Sequence, residues 1–556
     1  MKNLRIFITL GVAFAALTTL CGQTPTGQMT GLVTDSSGAV VPDVKISITN
    51  VNTGVERSAP SSNEGFYTAP LLPPGKYQVA AQKNGFRPIT RSGITLNVNQ
   101  ALRIDFVLQL GSVSESVSIV GETPLLQFSD TTVTSVIENK RIVDLPLNGR
   151  SAFSLAGLAP GVNPTGGGST PHISGSQTST SEVQIDGAVD VSPGAIGGLN
   201  RRVYEPQVDA VEEFSVQVNG LAAEYGRFGG GVINVVTKSG TNTVHGSAYE
   251  FLRNSKLDAN NFYANRAGRP KSAFKRNQYG GTVGGPVWIP GVYKGRDKTF
   301  FFAGYEKTIA RSQAVFRTTV PTPEWKAGDF SNLRTAAGQP ILIYDPLTGQ
   351  TDPQQASLFV RMPFQGNRVP ANRFDPVAVN MLKYFPSANA TPVNVNTNGL
   401  NFVGNGVAPS ESYRIDTRMD HNWNSKFRTF GRVSWGRASS EPFNPFGNIA
   451  MPGDGSGTNQ SSNASATLDN QITLTPNLLL NVRYSIGRTV SDRNPLGAGF
   501  DLTTLGLPAN LQASAQRDQS LLPKFTFAGV ITDLGQNNTR AFEATMIHTQ
   551  DYLVFG

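Results

Sequence analysis

Apolar and polar residues alternate with a period of two along much of this chain, the spacing of strands whose two faces meet different surroundings. The pattern is sharpest where Tyr413, Ile415, Thr417, Met419, His421 and Trp423 alternate with Arg414, Asp416, Arg418, Asp420 and Asn422. After the short turn Asn424-Ser425, Phe427, Thr429, Gly431, Val433 and Trp435 alternate with Arg428, Phe430, Arg432 and Ser434. A second pair sets Ala464, Ala466 and Leu468 against Ser465, Thr467 and Asp469. It turns at Thr475-Pro476-Asn477 and returns with Leu478, Leu480, Val482, Tyr484 and Ile486 against Asn481, Arg483 and Ser485. Tight turns at one end, long connections at the other and arginines on nearly every polar face predict a transmembrane antiparallel β-barrel. A soluble sandwich would bury the same apolar faces but gives no reason for the arginines. Trp423 and Trp435 are expected at strand ends, where aromatic girdles sit.

The N-terminal fifth reads differently. Short strands are predicted over 29–34, 44–50, 65–69, 76–81, 94–98 and 102–108, separated by Ser36-Ser37-Gly38, Pro42-Asp43 and Leu72-Pro73-Pro74-Gly75. Leu102, Ile104, Phe106 and Leu108 alternate with Arg103, Asp105 and Val107, a strand with one buried face. The runs G-L-V-T-D-S-S-G from Gly31, E-G-F-Y from Glu64 and L-P-P-G-K-Y from Leu72 resemble the carboxypeptidase-regulatory-like, transthyretin-like β-sandwich. The resemblance covers residues 26–110. Relatives of that sandwich include carbohydrate-binding modules, so sugar contact is one open reading. The absence of a tryptophan cluster favours a spacer or docking domain.

Between these regions, the run from Glu224 to Asn242 places Gly229, Gly230 and Gly231 before the β-branched stretch Val232 to Thr237. Three glycines there predict a bulged or closely approached backbone. L-P-L-N-G-R (Leu145, Pro146, Leu147, Asn148, Gly149, Arg150) lies upstream, V-Q-I-D-G-A carries Asp186 and Gly187, and A-E-Y-G-R-F-G-G-G carries Glu224, Tyr225, Gly226 and Arg227. In this order the motifs resemble the plug of TonB-dependent outer-membrane receptors, in particular the Oar-like branch. The resemblance implies an α+β plug over residues 125–242, with a short helix from Ile137 to Leu145 stopped by Pro146. Residues 243–556 would then be the first part of a barrel. Plugged transporter barrels have about 22 strands, whereas about eight or nine are convincing after Val244. The last residues read as an unfinished strand, so the sequence is expected to be a C-terminally truncated fragment of a larger receptor. Residues 308–411, rich in proline, are expected to form an extracellular loop, and the Gly/Ser/Thr stretch 165–180, with His172, another.

Composition narrows the rest. Lys2 and Arg5 precede an apolar run from Ile6 to Leu20, followed by Cys21, Gly22 and Gln23, the order of a secretory leader over residues 1–22. Leu20 stands where a lipoprotein leader needs a small residue, which disfavours lipidation at Cys21. Cys21 is the sole cysteine, so the folded part offers no disulfide and no thiolate. No later apolar run is long enough for a membrane helix. Glycine supplies 58 of 556 residues, more than usual, in a chain poor in helical periodicity. The charge of +8 falls to +6 once Lys2 and Arg5 leave, and no basic block gathers it, so nucleic acid is not an expected partner.

Catalysis finds few candidates. His172, His245, His421 and His548 are isolated, residues 280–286 lack the G-K-[ST] of a phosphate loop, and Glu212 and Glu213 point to opposite faces of a strand. No enzyme activity and no cofactor or metal are expected. Residues 111–124 are a linker carrying Glu115, Ser116, Val117, Ser118, Ile119, Val120 and Gly121. In that position the segment resembles a TonB box, which pairs as an added strand with the periplasmic domain of TonB. The alternative, that these residues form the last strand of the sandwich, stays open. The resemblance implies an outer-membrane location with the sandwich in the periplasm. Its partners would be TonB with the inner-membrane energising complex, outer-membrane lipid and an extracellular ligand of unknown identity. The rival function is a surface-exposed structural or adhesive protein on the same barrel.

Overall fold

The computed structural model describes residues 26–111, 117–120, 133–145, 147–163, 171–177, 180–195, 199–202, 204–219, 229–266, 268–355, 358–452, 457–475, 478–516, 520–527, 531–535 and 545–555. The leader, Glu115, Ser116, Gly121, Pro146 and the Glu224–Arg227 motif lie outside them. Mostly β architecture runs through three units.

The first is a sandwich. One sheet carries β1 (Gly27–Asp35), flanked by β4 (Phe66–Leu72) and by β7 (Ala101–Arg103) with β8 (Phe106–Leu108). The other orders β3 (Glu56–Pro60), β2 (Lys45–Asn50), β5 (Gly75–Gln82), β6 (Ile89–Leu96) and β9 (Val117–Val120). Ile46, Ile48, Val79, Leu96, Ile104 and Phe106 fill the space between, all but excluded from solvent. The periodicity misses β3, where Ala59 is the only deeply buried apolar side chain. It also merges β7 with β8. The break falls at Asp105, whose carboxylate leaves the ladder to accept the Leu32 amide at 2.7 Å.

The second unit is the plug, a five-stranded sheet in the order β10 (Val133–Glu138), β13 (Val211–Asn219), β14 (Val232–Thr237), β11 (Glu182–Ile185) and β12 (Ala188–Val189). Residues 137 and 138, expected in a helix, end β10 instead, because Ile137 pairs with Phe214 across the ladder. The helix α1 spans Asn139–Asp144. The glycine run works through close approach: a side chain on Gly231 would strike Ile173 and the Gln217 carbonyl, and one on Gly230 would strike Ser181. None of the three has positive φ.

The third unit is a sheet of eight strands, each antiparallel to the next: β15 (His245–Asn254), β16 (Phe274–Pro286), β17 (Thr299–Thr318), β18 (Phe402–Asn422), β19 (Phe427–Ser440), β20 (Gly457–Thr475), β21 (Leu478–Pro495) and β22 (Thr545–Phe555). Among the described residues no pairing joins β15 to β22, so the sheet is an open wall. Its burial is inverted relative to a soluble sheet. Met419 is 53% exposed and Val433 58%, while their neighbours Arg418 and Arg432 are 9% and 2% exposed. Only an apolar solvent outside and a polar lumen inside account for that choice. Trp423 stacks on Phe427 at 5.7 Å by the short-turn end. Trp435, expected at a strand end, instead meets Tyr413 within β19, which continues to Ser440.

At the long-loop end the excursions do not hang free. Val320, Met381 and Phe385 pack with Phe446, Leu505 and Leu534 into one core drawn from three connections.

Candidate functional site: the seam between plug and wall

Two turns carried by the plug motifs press against the wall. The first is Asp186-Gly187, joining β11 to β12 in a two-residue hairpin. Both residues have positive φ, 51° and 75°, as the primed turn natural to twisted hairpins requires. The Asp186 carboxylate accepts the Thr237 amide at 2.9 Å and hydroxyl at 2.7 Å, and takes Arg418 Nη1 at 3.0 Å. Arg432 Nε lies 3.1 Å from its other oxygen. Arg483 Nη1 donates to the Gly187 carbonyl at 2.9 Å and is itself paired with Asp469 at 2.7 Å. Three arginines from β18, β19 and β21 thus cradle one turn tip. Asp186 is wholly buried and Arg483 is 1% exposed. Pairs of this kind combine charge with fixed direction in a place where water cannot replace them.

The second turn is Asn148-Gly149-Arg150. The Asn148 side-chain oxygen accepts Arg253 at 2.7 Å from β15 and Arg276 at 3.1 Å from β16. Arg150 reaches back to Asp209 of the plug at 2.6 Å, and its guanidinium lies 3.9 Å from the centre of the Phe251 ring and 5.1 Å from that of Tyr249. Leu147 packs into the plug core, whereas Leu145 stays 37% exposed. Between the two turns, the Gln207 amide donates to Asp416 at 3.2 Å. Gly304 of β17 lies so close to the Gln207 side chain that no Cβ fits there.

Asp186, Gly187, Asn148 and Arg150 are therefore brought to the wall. Their partners Arg418, Arg432 and Arg483 were legible only as polar strand positions, because Arg418 and Asp186 stand 232 residues apart. Val117–Val120 lies elsewhere, as an added edge strand parallel to β6, with Val117 opposite Ile89 and Val120 opposite Ser92.

The sandwich meets the same seam from the short-turn end. Asn242, where plug passes into wall, donates through its amide to the Asn52 carbonyl at 3.0 Å and through its side chain to the Thr53 carbonyl at 2.8 Å. Arg57 Nη2 reaches Thr473 Oγ1 at 2.5 Å, and the Val98 amide donates to the Glu213 carboxylate of β13. Burial, aided by the like charges of Glu212 and Glu138 and opposed by the Val98 amide, pushes the Glu213 carboxyl up to about 8.

A lumen-facing arginine wall, a separate domain seated against it and a lipid-facing apolar band define an outer-membrane protein. Residues 236–554 match the Outer membrane beta barrel domain family, and the chain belongs to that family. Residues 28–109 match the Carboxypeptidase regulatory-like domain. The chain is similar to the TonB-dependent transporter Oar of Myxococcus xanthus, at 30% identity over 313 residues. That match covers 54% of this chain and 28% of the relative, so the chain spans less than a third of its length. Among solved structures, a ferric enterobactin receptor of Pseudomonas aeruginosa aligns at 14% identity and TM-score 0.36, covering 66% of this chain and 42% of that one. The outer membrane transporter YddB of Escherichia coli aligns at 10% and 0.41, covering 76% and 44%.

Proposed function

We propose that the chain works as a TonB-dependent receptor that binds an extracellular ligand and imports it with force from the inner-membrane proton gradient. The observation that carries this reading is the seating of the plug. A folded domain lies against the lumenal wall through the buried ion pairs of Asp186 with Arg418 and Arg432 and through Arg150, whose guanidinium faces the Phe251 and Tyr249 rings. Removing such contacts without replacing them is costly, so opening a path needs work delivered from outside the barrel. Residues 115–121 are the proposed point of delivery. There the periplasmic domain of TonB adds as a strand, recognising backbone more than side chains. The chain acts as a binder and conduit and catalyses no reaction.

Disulfide trapping tests this. Cysteines placed in turn over residues 115–121 of the full-length receptor are paired with cysteines in the TonB C-terminal domain. An alternating cross-link pattern that Val117→Pro or Ile119→Pro abolishes, with normal surface abundance, supports energy coupling, since proline deletes an amide and restricts its neighbour. No cross-link at any position would instead favour the surface scaffold.

A further inference from the structure

The sandwich is a separate domain by its core, yet it is held at the mouth of the lumen. Its hydrophobic cluster and that of the plug are distinct. Among the described residues, hydrogen bonds leave the sandwich for the plug, the junction and the wall: Val98 with Glu213, Asn52 and Thr53 with Asn242, Arg57 with Thr473. The docking turn is shaped for its place. Asn50 Oδ1 accepts the amides of Asn52 at 3.0 Å and Thr53 at 3.1 Å, and Gly54 follows with φ of 70°. A Cβ on Gly54 would lie 2.5 Å from the Asp297 carboxylate in the connection before β17, so the turn fits against that connection only as glycine. In the seam a cavity of about 180 Å³, lined by Arg57, Leu72 and Tyr77 on one side and Thr237, Arg428 and Phe430 on the other, leaves the facing surfaces unpacked. Domains joined by scattered hydrogen bonds and not by a large shared apolar core move relative to one another by default.

The sheet that docks also carries the candidate coupling strand. In the order β3, β2, β5, β6, β9, the β2–β3 turn makes the contact at one edge and β9 lies at the other. A pull on the chain at β9 therefore reaches the seam through a hydrogen-bonded sheet.

We propose that the sandwich is a reversible gate on the periplasmic side, docked over the plug–wall junction at rest and released as one body when force arrives through the segment that follows it. The docking surface is the one formed by Asn52, Thr53, Arg57 and Val98, and its partner is this chain's own plug and rim. Only the source of the force rests on the reading of residues 115–121 given above.

The test is a cysteine pair at Asn52→Cys and Asn242→Cys in the full-length receptor in living cells, where backbone contact brings the two positions together. Oxidation should close the bond readily in cells treated with a protonophore and in cells lacking TonB. In energised cells with TonB the yield should fall by about threefold, the size of a modest population shift. A yield equal in all three conditions would make the sandwich a fixed cap, and no bond in any condition would mean that it does not dock; either overturns the gate. Thr53→Cys with Asn242→Cys replaces the pair should the first variant fail to reach the membrane. TonB cross-linking to residues 115–121, scored in parallel, separates the two ideas. A cross-link with an unchanged gate yield overturns the gate alone, whereas a falling yield without that cross-link supports the gate and leaves the coupling segment as the part that failed.

Discussion

The sandwich and the barrel wall are written in the same alphabet and folded opposite ways. In β2, Ile46 and Ile48 are fully buried while Lys45 faces water. In β18, Ile415 and Met419 face outward while Asp416, Arg418 and Asp420 are buried at 3%, 9% and 2% exposure. A period of two identifies a strand with two unlike faces but does not say which face is dry. That depends on whether the strand meets water or lipid, and on whether charged partners exist on the inner side. In the wall they do: Asp420 binds Arg418 at 2.9 Å and Arg428 at 2.7 Å, so its inward charges neutralise one another within one sheet.

The two regimes meet at the Asp186 turn, and the greatest loss of stability is expected there. Asp186→Ala leaves Arg432 without the carboxylate it pairs with and takes one of two from Arg418. Breaking one side of a buried pair costs about 3–5 kcal/mol. Denaturant melts of the purified receptor should show the plug transition moving to lower urea while the wall transition stays. An unshifted plug would show that the cradle is incidental.

Next is a matched pair of truncations. Ile48→Ala in the sandwich should cost about 2–5 kcal/mol, because a filled core loses both burial and packing. Met419→Ala on the outer face of β18 should change stability by less than about 1 kcal/mol, since that side chain leaves no cavity in protein. Similar costs for both would erase the distinction between the two regions.

How much of this was legible depends on distance along the chain. Strands β18, β19 and β21 emerge from their own alternation, because each strand states its faces locally. β3 does not, with Ala59 as its one deeply buried apolar residue among Glu56, Arg57 and Ser58. The helix α1 starts two residues late because Ile137 and Glu138 pair with Phe214 and Glu213, a tertiary choice no local window contains. The Asp186-Gly187 turn was visible as a motif, yet nothing local says that arginines from three strands meet it. The Glu213 contact with Val98 was equally hidden, since it joins two domains.

Glu213 gives the smallest of these effects. Burial raises its carboxyl to about 8 from the ordinary 4.5, although the Val98 amide favours the carboxylate, so the folded receptor holds the proton more tightly than the unfolded chain. Its contribution to stability is therefore complete below about pH 4.5 and is lost as pH rises through about 8. The urea midpoint of the plug transition should fall across that window, and Glu213→Gln should flatten the profile. A fall of the same size in Glu213→Gln would assign the dependence to another group.

Spin labels placed singly at residues 413–422 of the reconstituted receptor read out which face of the wall meets lipid. Collision rates with oxygen, which concentrates in lipid, should rise at Tyr413, Ile415, Thr417 and Met419 and drop at Arg414, Asp416, Arg418 and Asp420, with a period of two. Access for a water-soluble nickel complex at the outward positions, or the absence of any alternation, would contradict a lipid-facing apolar side and with it the membrane wall.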